Sequence, residues 1–600
     1  MKNTIPLSLL ATAVAARPGA PIRDQANVTD YDYIVVGGGT SGLVVANRLS
    51  EDASVSVLVI ERGESVLNNA NVTDVNGYGK AFGTEIDYAF QTTPQTFANN
   101  ESATMRAAKA LGGTSTINGL AYTRAEASQI DAWETVGNQG WNWTTLFPYY
   151  LKSETFEVPD EARVAAGHFA WNSEYHGESG PLHTGFAYSD TNDSYPVSMN
   201  ATYKALGLSW NEDPNGGSMI GFTPYPKTID QDLNVRWDAA RAYYYPYENR
   251  TNLKVLLSTT ANKVTWANTN DDSSATASGV EITAADGTVS VVTARKEVIL
   301  SAGALVSPLL LELSGVGNPA LLSQYGIETV VELPTVGENL QDQINNELQY
   351  QPPSNFTAAY DGGGAQLVAY PAASHVFGAN ESTVSEALKS QLSAYADAVA
   401  IANGNVTKAS DLLDFFQLQY DLIFEKEVPY AEVLIYISSG VWGAEYWGLL
   451  PFSRGSIHIS QANSTDDAVI NPNYFMLDYD TELQISVAKF IREVFATEPF
   501  AALAGTETTP GFDVVSSEAD EATWKDWAVN KYRSNFHPVA TAAMLPKEKG
   551  GVVDSELKVY GTTNVRVVDA SILPFQVCGH LVSTLYAVAE RASDLIKASA

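Results

Sequence analysis

The stretch Asp32-Tyr33-Ile34-Val35-Val36-Gly37-Gly38-Gly39-Thr40-Ser41-Gly42-Leu43-Val44-Val45-Ala46-Asn47-Arg48-Leu49 decides the fold. Its first five residues form a continuous β-rich run, as expected of a strand buried on both faces. The glycines then turn the chain, and Leu43 to Leu49 reads as a helix. A second apolar strand, Val55-Ser56-Val57-Leu58-Val59-Ile60, ends at Glu61. Strand, turn, helix and strand in this order make the unit that holds a dinucleotide. Gly37 permits the tight turn, Gly39 lets backbone approach a pyrophosphate, and Gly42 allows close helix–strand packing. The helix N-terminus offers phosphates its free N–H groups and the positive end of its dipole. Glu61, nineteen residues beyond Gly42, places a carboxylate where ribose hydroxyls can donate. These residues alone do not distinguish FAD from NAD.

Around that unit, the 600-residue chain is 45% hydrophobic and 17% charged, which is globular composition and excludes wholesale disorder. Its length predicts more than one domain or one large interleaved body. With 35 Lys plus Arg against 69 Asp plus Glu, the net charge is −34. A field this negative repels phosphate backbones and no basic run offsets it, so no nucleic-acid partner is expected. Lys2, the apolar run Ile5 to Ala16 and its small-residue end read as a secretory signal peptide over residues 1–16. Twelve apolar residues are too few to cross a bilayer. No other stretch approaches that length, so a soluble, secreted protein without a membrane partner is expected. Eleven Asn-x-Ser/Thr sequons (Asn27, Asn71, Asn100, Asn142, Asn192, Asn200, Asn249, Asn355, Asn380, Asn405 and Asn463) predict N-glycosylation. The single cysteine, Cys578, excludes an intramolecular disulfide, and a core this large needs none.

Elsewhere the pattern is uneven. Residues 126–234 are rich in Trp, Tyr, Pro and Asn, with few long periodic runs. Residues 251–303 read as short strands joined by polar turns, and 383–425 has helical apolar spacing. Val565 to Val568 reads as a strand, and Thr584 to Lys597 as a closing helix.

Two further blocks separate the cofactors by resemblance. Ala108-Lys109-Ala110-Leu111-Gly112-Gly113-Thr114-Ser115-Thr116-Ile117-Asn118-Gly119 resembles one signature of the glucose–methanol–choline (GMC) oxidoreductases. Gly303 to Pro308, running on to Leu313-Ser314-Gly315-Val316-Gly317, resembles the other. His176 to Pro181 and Val336 to Asp342 are also family-like, so the resemblance spans residue 31 to the C-terminus. It looks closest to secreted fungal glucose oxidases and FAD-dependent glucose dehydrogenases, and Gln343 completes a Leu-Gln-Asp-Gln run similar to theirs.

The resemblance implies an α/β fold in which a Rossmann-like FAD-binding domain (30–125, 235–345 and 540–600) interleaves with a substrate domain (126–234 and 346–539). The substrate domain is built on an antiparallel sheet with helices. The family implies FAD; the full Gly37–Glu61 unit, with no histidine or cysteine in an obvious flavin-attachment block, predicts that it is held non-covalently, and no metal is expected. By motif, Gly37, Gly39, Thr40, Ser41 and Gly42 fall at the pyrophosphate and Glu61 at the adenosine ribose. Gly112, Gly113, Thr114, Asn118, Gly119 and Ala121 fall on the flavin side, with Ala261, Asp569, Ala570 and Val582 as further contacts.

Of seven histidines, His537 and His580 match the family's active-site pair. Oxidising an alcohol requires removal of the hydroxyl proton, which a neutral imidazole can accept. His537 is expected to be the base and His580 its partner. Arg533 and Asn535, four and two residues before His537, carry donors and acceptors suited to ring hydroxyls. By resemblance Tyr78 stands at the site entrance, with Glu445 and Trp447 in the sugar pocket. The implied activity is an FAD-dependent glucose 1-dehydrogenase that passes electrons to a quinone or other non-oxygen acceptor. An oxygen-using glucose oxidase and an FAD-containing hydroxynitrile lyase are the alternatives.

Overall fold

The computed structural model describes residues 30–187, 195–267, 274–356 and 367–599. The expected signal peptide and the sequons at Asn27 and Asn192 lie outside them.

Two seven-stranded sheets organise the chain. In the first, Asp30–Val36 lies between Val57–Ile60 and the long strand Val289–Leu300, parallel to both. Leu253–Leu256 extends the parallel sheet beyond Val57–Ile60, and Val565–Val567 pairs with the end of Val289–Leu300. The first half of that long strand pairs antiparallel with Ala277–Thr283, which pairs in turn with Thr260–Trp266. The region 251–303 therefore holds the expected strands, although the last is twelve residues long. At the centre of the sheet Ile34, Val35, Val57, Leu58 and Val59 are each inaccessible to solvent, as cover on both faces requires.

The helix Thr40–Leu49 begins directly after Gly39 and packs against the closing helix Leu581–Ala598. That closing helix starts earlier than its apolar periodicity predicted, because Leu581 and Val582 in its first turn face a cavity. Gly37 has φ +106°, and a Cβ there would lie 2.4 Å from Ser301 O. A Cβ on Gly42 would lie 2.0 Å from Gly37 O, so both glycines are sterically required.

The second sheet is antiparallel, in the order Thr506–Thr509, Ile344–Gln351, Val441–Gly448, Ala431–Ser438, Leu367–Tyr370 and Gly221–Pro224. Arg533–Ser534 pairs with the start of Ile344–Gln351. Helix Asp478–Ala496 packs on it, against Val441–Gly448 and Ile344–Gln351, and helices Glu381–Ala402 and Ala409–Tyr420 pack on each other. In the region of weak periodicity, Glu154, which caps the helix Trp143–Ser153, belongs to a buried ionic cluster. Arg124 Nη2 donates to Glu154 at 2.8 Å. His176 lies between Glu154 Oε1 at 3.0 Å and Asp213 Oδ2 at 2.9 Å. Among the described residues no helix is long and apolar enough to cross a membrane.

Candidate active site

The carboxyl ends of the parallel strands and one face of the antiparallel sheet enclose a cavity of about 660 Å³. At one end the helix Thr40–Leu49 presents its N-terminus. Its N-cap, Gly39, has no side chain to satisfy the first N–H groups, which leaves them for an anion. Gly113 lies across from it, at φ +54°, and a Cβ on Gly113 would sit 2.6 Å from Gly39 Cα. The two bare backbones form a cradle that any side chain on Gly113 would fill. Beside it Glu61 is buried, and its carboxylate accepts N–H groups of Gly38 at 2.8 Å and Gly63 at 2.7 Å. Burial nevertheless raises its pKa to about 7. Ser301 Oγ, on the cavity wall, is buried without a partner, as expected of a hydroxyl that a ligand satisfies.

Further along the wall, Asn118 Oδ1 accepts from Arg236 at 2.6 Å and from the Leu120 N–H at 3.1 Å. This fixes the amide and keeps its NH2 as the free donor. Arg236 is itself buried and spends its other N–H groups on the Val72, Ser115 and Asn118 carbonyls, and burial lowers its pKa to about 10. Asp569 accepts from the Gly303 N–H at 2.9 Å and Ser307 Oγ at 2.6 Å, which ties the C-terminal strand to the second signature block.

At the other end His537 and His580 face each other, with ring centroids 5.5 Å apart and planes at 89°. Among the described residues they are the only histidines on this wall. His537 Nδ1 lies 2.8 Å from Gln343 Oε1, and its backbone N–H donates to Asp342 at 2.9 Å. Burial first, then the nearby His580 and Arg533, hold its pKa well below the ordinary imidazole value. His580 Nε2 lies 2.8 Å from the fully buried Glu432, and its backbone N–H donates to Thr123 Oγ1.

Thr40, Ser41, Gly37, Gly39, Glu61, Gly113, Thr114, Asn118, Gly119, Ala121, Ala261, Asp569, Ala570 and Val582 line this cavity. Tyr78, Glu445, Trp447, Arg533 and Asn535 line it too. Gly42 and Gly112 stand behind this wall. Gly42 is pressed against Gly37 behind the turn, and the Gly112 N–H donates to Gly38 O at 2.8 Å. Trp447 does not stand free for ring stacking. It is buried edge-on to His537 and His580, at 6.4 and 5.8 Å, with its Nε1 unpartnered. Arg533 is not a free guanidinium: Nη2 donates to Glu445 at 2.8 Å and Nη1 to Ser534 O at 3.0 Å. Tyr78 is 46% exposed and, with Phe82 and Phe536, makes an aromatic rim.

Glu432 and Arg236 were missed by sequence reasoning. A signal for Glu432 exists, since a lone carboxylate in Ala431-Glu432-Val433-Leu434-Ile435 sits in an otherwise apolar strand. Away from the cavity, Glu157, His183 and Asp230 bring three potential metal-ligand atoms within 4.8 Å of one another. There the His183 ring nitrogen is 2.6 Å from Glu157, as a hydrogen-bonded pair.

The GMC oxidoreductase profile matches residues 31–345, and its C-terminal counterpart matches residues 451–589. This chain is a GMC oxidoreductase. A glucose oxidase-like protein of Humicola fuscoatra is 44% identical over 575 residues, covering 96% of each chain. The glucose oxidase of Aspergillus carbonarius is 36% identical over 615 residues, covering 100% of this chain and 99% of its own. Among solved structures, an FAD-dependent oxidoreductase from Chaetomium thermophilum superposes with a TM-score of 0.86 at 29% identity. A fungal aryl-alcohol oxidase superposes at 0.84 and 27%; each comparison covers 95% of this chain and 99% of the other. Membership makes this GMC oxidoreductase an FAD-dependent enzyme, and the Gly39–Gly113 cradle, Glu61 and orphaned Ser301 hydroxyl suit that cofactor.

Proposed function

We propose that this enzyme oxidises the anomeric hydroxyl of a pyranose, D-glucose first, to the lactone. The observation that carries the reading is the composition of the cavity end opposite the cradle. Two facing imidazoles stand there beside Arg533, Glu445, Asn535 and Tyr436, a set of donors and acceptors suited to several ring hydroxyls. These groups are paired with one another or with neighbours, and an aryl alcohol, with its single hydroxyl, would leave unused the N–H groups and lone pairs that remain on Arg533 and Glu445. Bound FAD supplies the hydride acceptor. His537 receives the hydroxyl proton, and His580, oriented by Glu432, is the partner that positions the oxygen. Trp447 holds both rings and excludes water from their far side. Arg533 and Glu445, paired with each other, offer their remaining lone pairs and N–H groups to the sugar.

FAD is held non-covalently in this reading, since among the described residues the wall carries no cysteine and no histidine besides the catalytic pair. Acid precipitation should release the yellow colour. The electron acceptor is a quinone or similar compound: the lone, buried Cys578 and the blocks around His537 and His580 resemble the dehydrogenases more than the oxidases. The glucose oxidases among the relatives favour oxygen as a second reading. Export with N-glycosylation accompanies either. Seven sequon asparagines (Asn71, Asn100, Asn249, Asn355, Asn380, Asn405 and Asn463) are exposed, whereas Asn142 caps a helix and Asn200 is half-buried.

The test is anaerobic mixing with D-glucose, followed at the flavin absorbance, and then admission of air. Bleaching that persists in air but is reversed by a quinone supports the dehydrogenase. Bleaching reversed by air with release of peroxide supports the oxidase. No bleaching, with cyanide released from mandelonitrile, would replace both with a lyase.

A further inference from the structure

We propose that Gln343 acts as a positioning residue that fixes the tautomer of His537, so that Nε2 is the only proton acceptor of the ring. The inference deepens the assignment of His537 as the base and rests on it for its catalytic meaning, but not for its test.

A neutral imidazole carries one N–H, and the nitrogen that bears it is chosen by the partner of the other. The partner here is an amide, which could in principle present either end. A backbone carbonyl removes that freedom. Gln343 Nε2 lies 3.2 Å from Leu449 O, which can only accept, so the NH2 end of Gln343 points there and Oε1 points at His537 Nδ1, 2.8 Å away. Reversing the amide would set two oxygens against each other in a fully buried site.

Asn535 supports the same orientation. Its Oδ1 accepts from Asn345 Nδ2 at 2.9 Å, which turns its NH2 toward Gln343 Oε1 at 3.3 Å. That NH2 also lies 3.1 Å from His537 Nδ1. A bare Nδ1 could accept from it, but would then face the Gln343 oxygen lone pair to lone pair at the shorter distance. The proton therefore sits on Nδ1 and is donated to Gln343. The main chain leaves little room for adjustment, because Asn535 N donates to Gln343 O at 2.9 Å and His537 N donates to Asp342 at 2.9 Å.

An amide in this place has a second consequence. His458, between Glu312 at 2.7 Å and Glu338 at 3.2 Å, is held protonated, with its pKa raised to about 10. Around His537 the charged and titratable groups are His580 and Arg533, Asp342 on its backbone N–H, and Glu432 beyond His580. No carboxylate among them touches the ring, so the neutral base persists to acid pH. Substituting a carboxylate at Gln343 would give His537, at Nδ1, one of the two carboxylate partners that His458 has.

The test uses FAD-loaded protein with nitrogen-15 histidine and long-range proton–nitrogen correlation. The His537 signals are assigned by their loss in His537→Gln. In wild type, Nδ1 is expected to be protonated and Nε2 bare, unchanged as the pH falls through about 6.5, the ordinary imidazole value. In Gln343→Glu, both nitrogens should be protonated at neutral pH. Flavin reduction by sugar should then lose about tenfold per pH unit below the new imidazole pKa and recover at alkaline pH. In Gln343→Leu, Nδ1 loses its acceptor and keeps the Asn535 NH2 beside it, so the tautomer protonated on Nε2 should gain and kcat fall with KM little changed. A protonated Nε2 in the wild type would overturn the proposal, as would an unshifted His537 in Gln343→Glu. If neither variant folds, the wild-type spectrum decides. Because that spectrum needs no substrate, failure of sugar to bleach the flavin would sink the functional reading and leave this inference standing or falling separately.

Discussion

At His176 the imidazole lies between two carboxylates, Glu154 at 3.0 Å and Asp213 at 2.9 Å. At His537 it faces the oxygen of an amide at 2.8 Å and a second imidazole 5.5 Å away. Both rings are withdrawn from water, which by itself disfavours charge. The carboxylates outweigh that penalty at His176 and raise its pKa to about 9. Nothing offsets it at His537, where His580 and Arg533 add to it. One residue type is thus a cationic tie in the protein body and a neutral ring in the cavity, the state that the proposed role as base requires, and the partner atom decides which.

Breaking the tie should give the largest effect. His176→Ala leaves Glu154 and Asp213 buried with less compensation, and loss of one member of such a cluster typically costs about 3–5 kcal/mol. Denaturant unfolding should show that loss, while flavin reduction by the protein that remains folded should be unaltered. At the cavity, Glu432→Gln keeps the shape beside His580 but removes the charge. A hydrogen bond to a charged group is worth about 1.5–3 kcal/mol, so catalytic efficiency should fall roughly ten- to a hundredfold with FAD retained. An unchanged rate would remove Glu432 from the site. Arg533→Ala should raise KM for D-glucose by about tenfold, the lower end of the same range, because Glu445 already takes one of its donors. Lysine should not restore it, since a point charge cannot replace the planar fork.

The smallest effect is also the sharpest test of the contrast. His176 is protonated when folded, so its contribution is full below about pH 6.5 and is lost as the pH rises through about 9. His537 has a depressed pKa when folded, so its contribution is full above about pH 6.5 and is lost as the pH falls below that value. Stability curves of His176→Ala and His537→Gln should therefore converge on wild type at opposite ends, the first at alkaline pH. Parallel offsets at every pH would show that the two rings titrate alike.

The cofactor end was legible because its chemistry is written in consecutive residues: Gly37 to Glu61 and Gly112 to Asn118 each carry turn, approach and polar contact within one segment. His537 and His580 were singled out only because the blocks that hold them resemble the family's active-site pair. Their partners were not. Glu432 is 148 residues from His580, and Arg236 is 118 from Asn118. Gln343 was read only as part of a four-residue run. The region 126–234 lacked periodicity because part of its interior is ionic and aromatic: Glu154, His176 and Asp213 pack there with Tyr150 and Phe156, against Arg124 just before the region. Patterns of apolar spacing do not report such contacts.

The central claim is that His537 removes the proton as sugar reduces the bound flavin. It is tested most directly by anaerobic rapid mixing of D-glucose with wild type and with His537→Ala, both loaded with FAD. Wild type should bleach, and the variant should bleach about 10²–10⁴-fold more slowly with its flavin spectrum intact before mixing. Equal bleaching rates in the two proteins would contradict the claim.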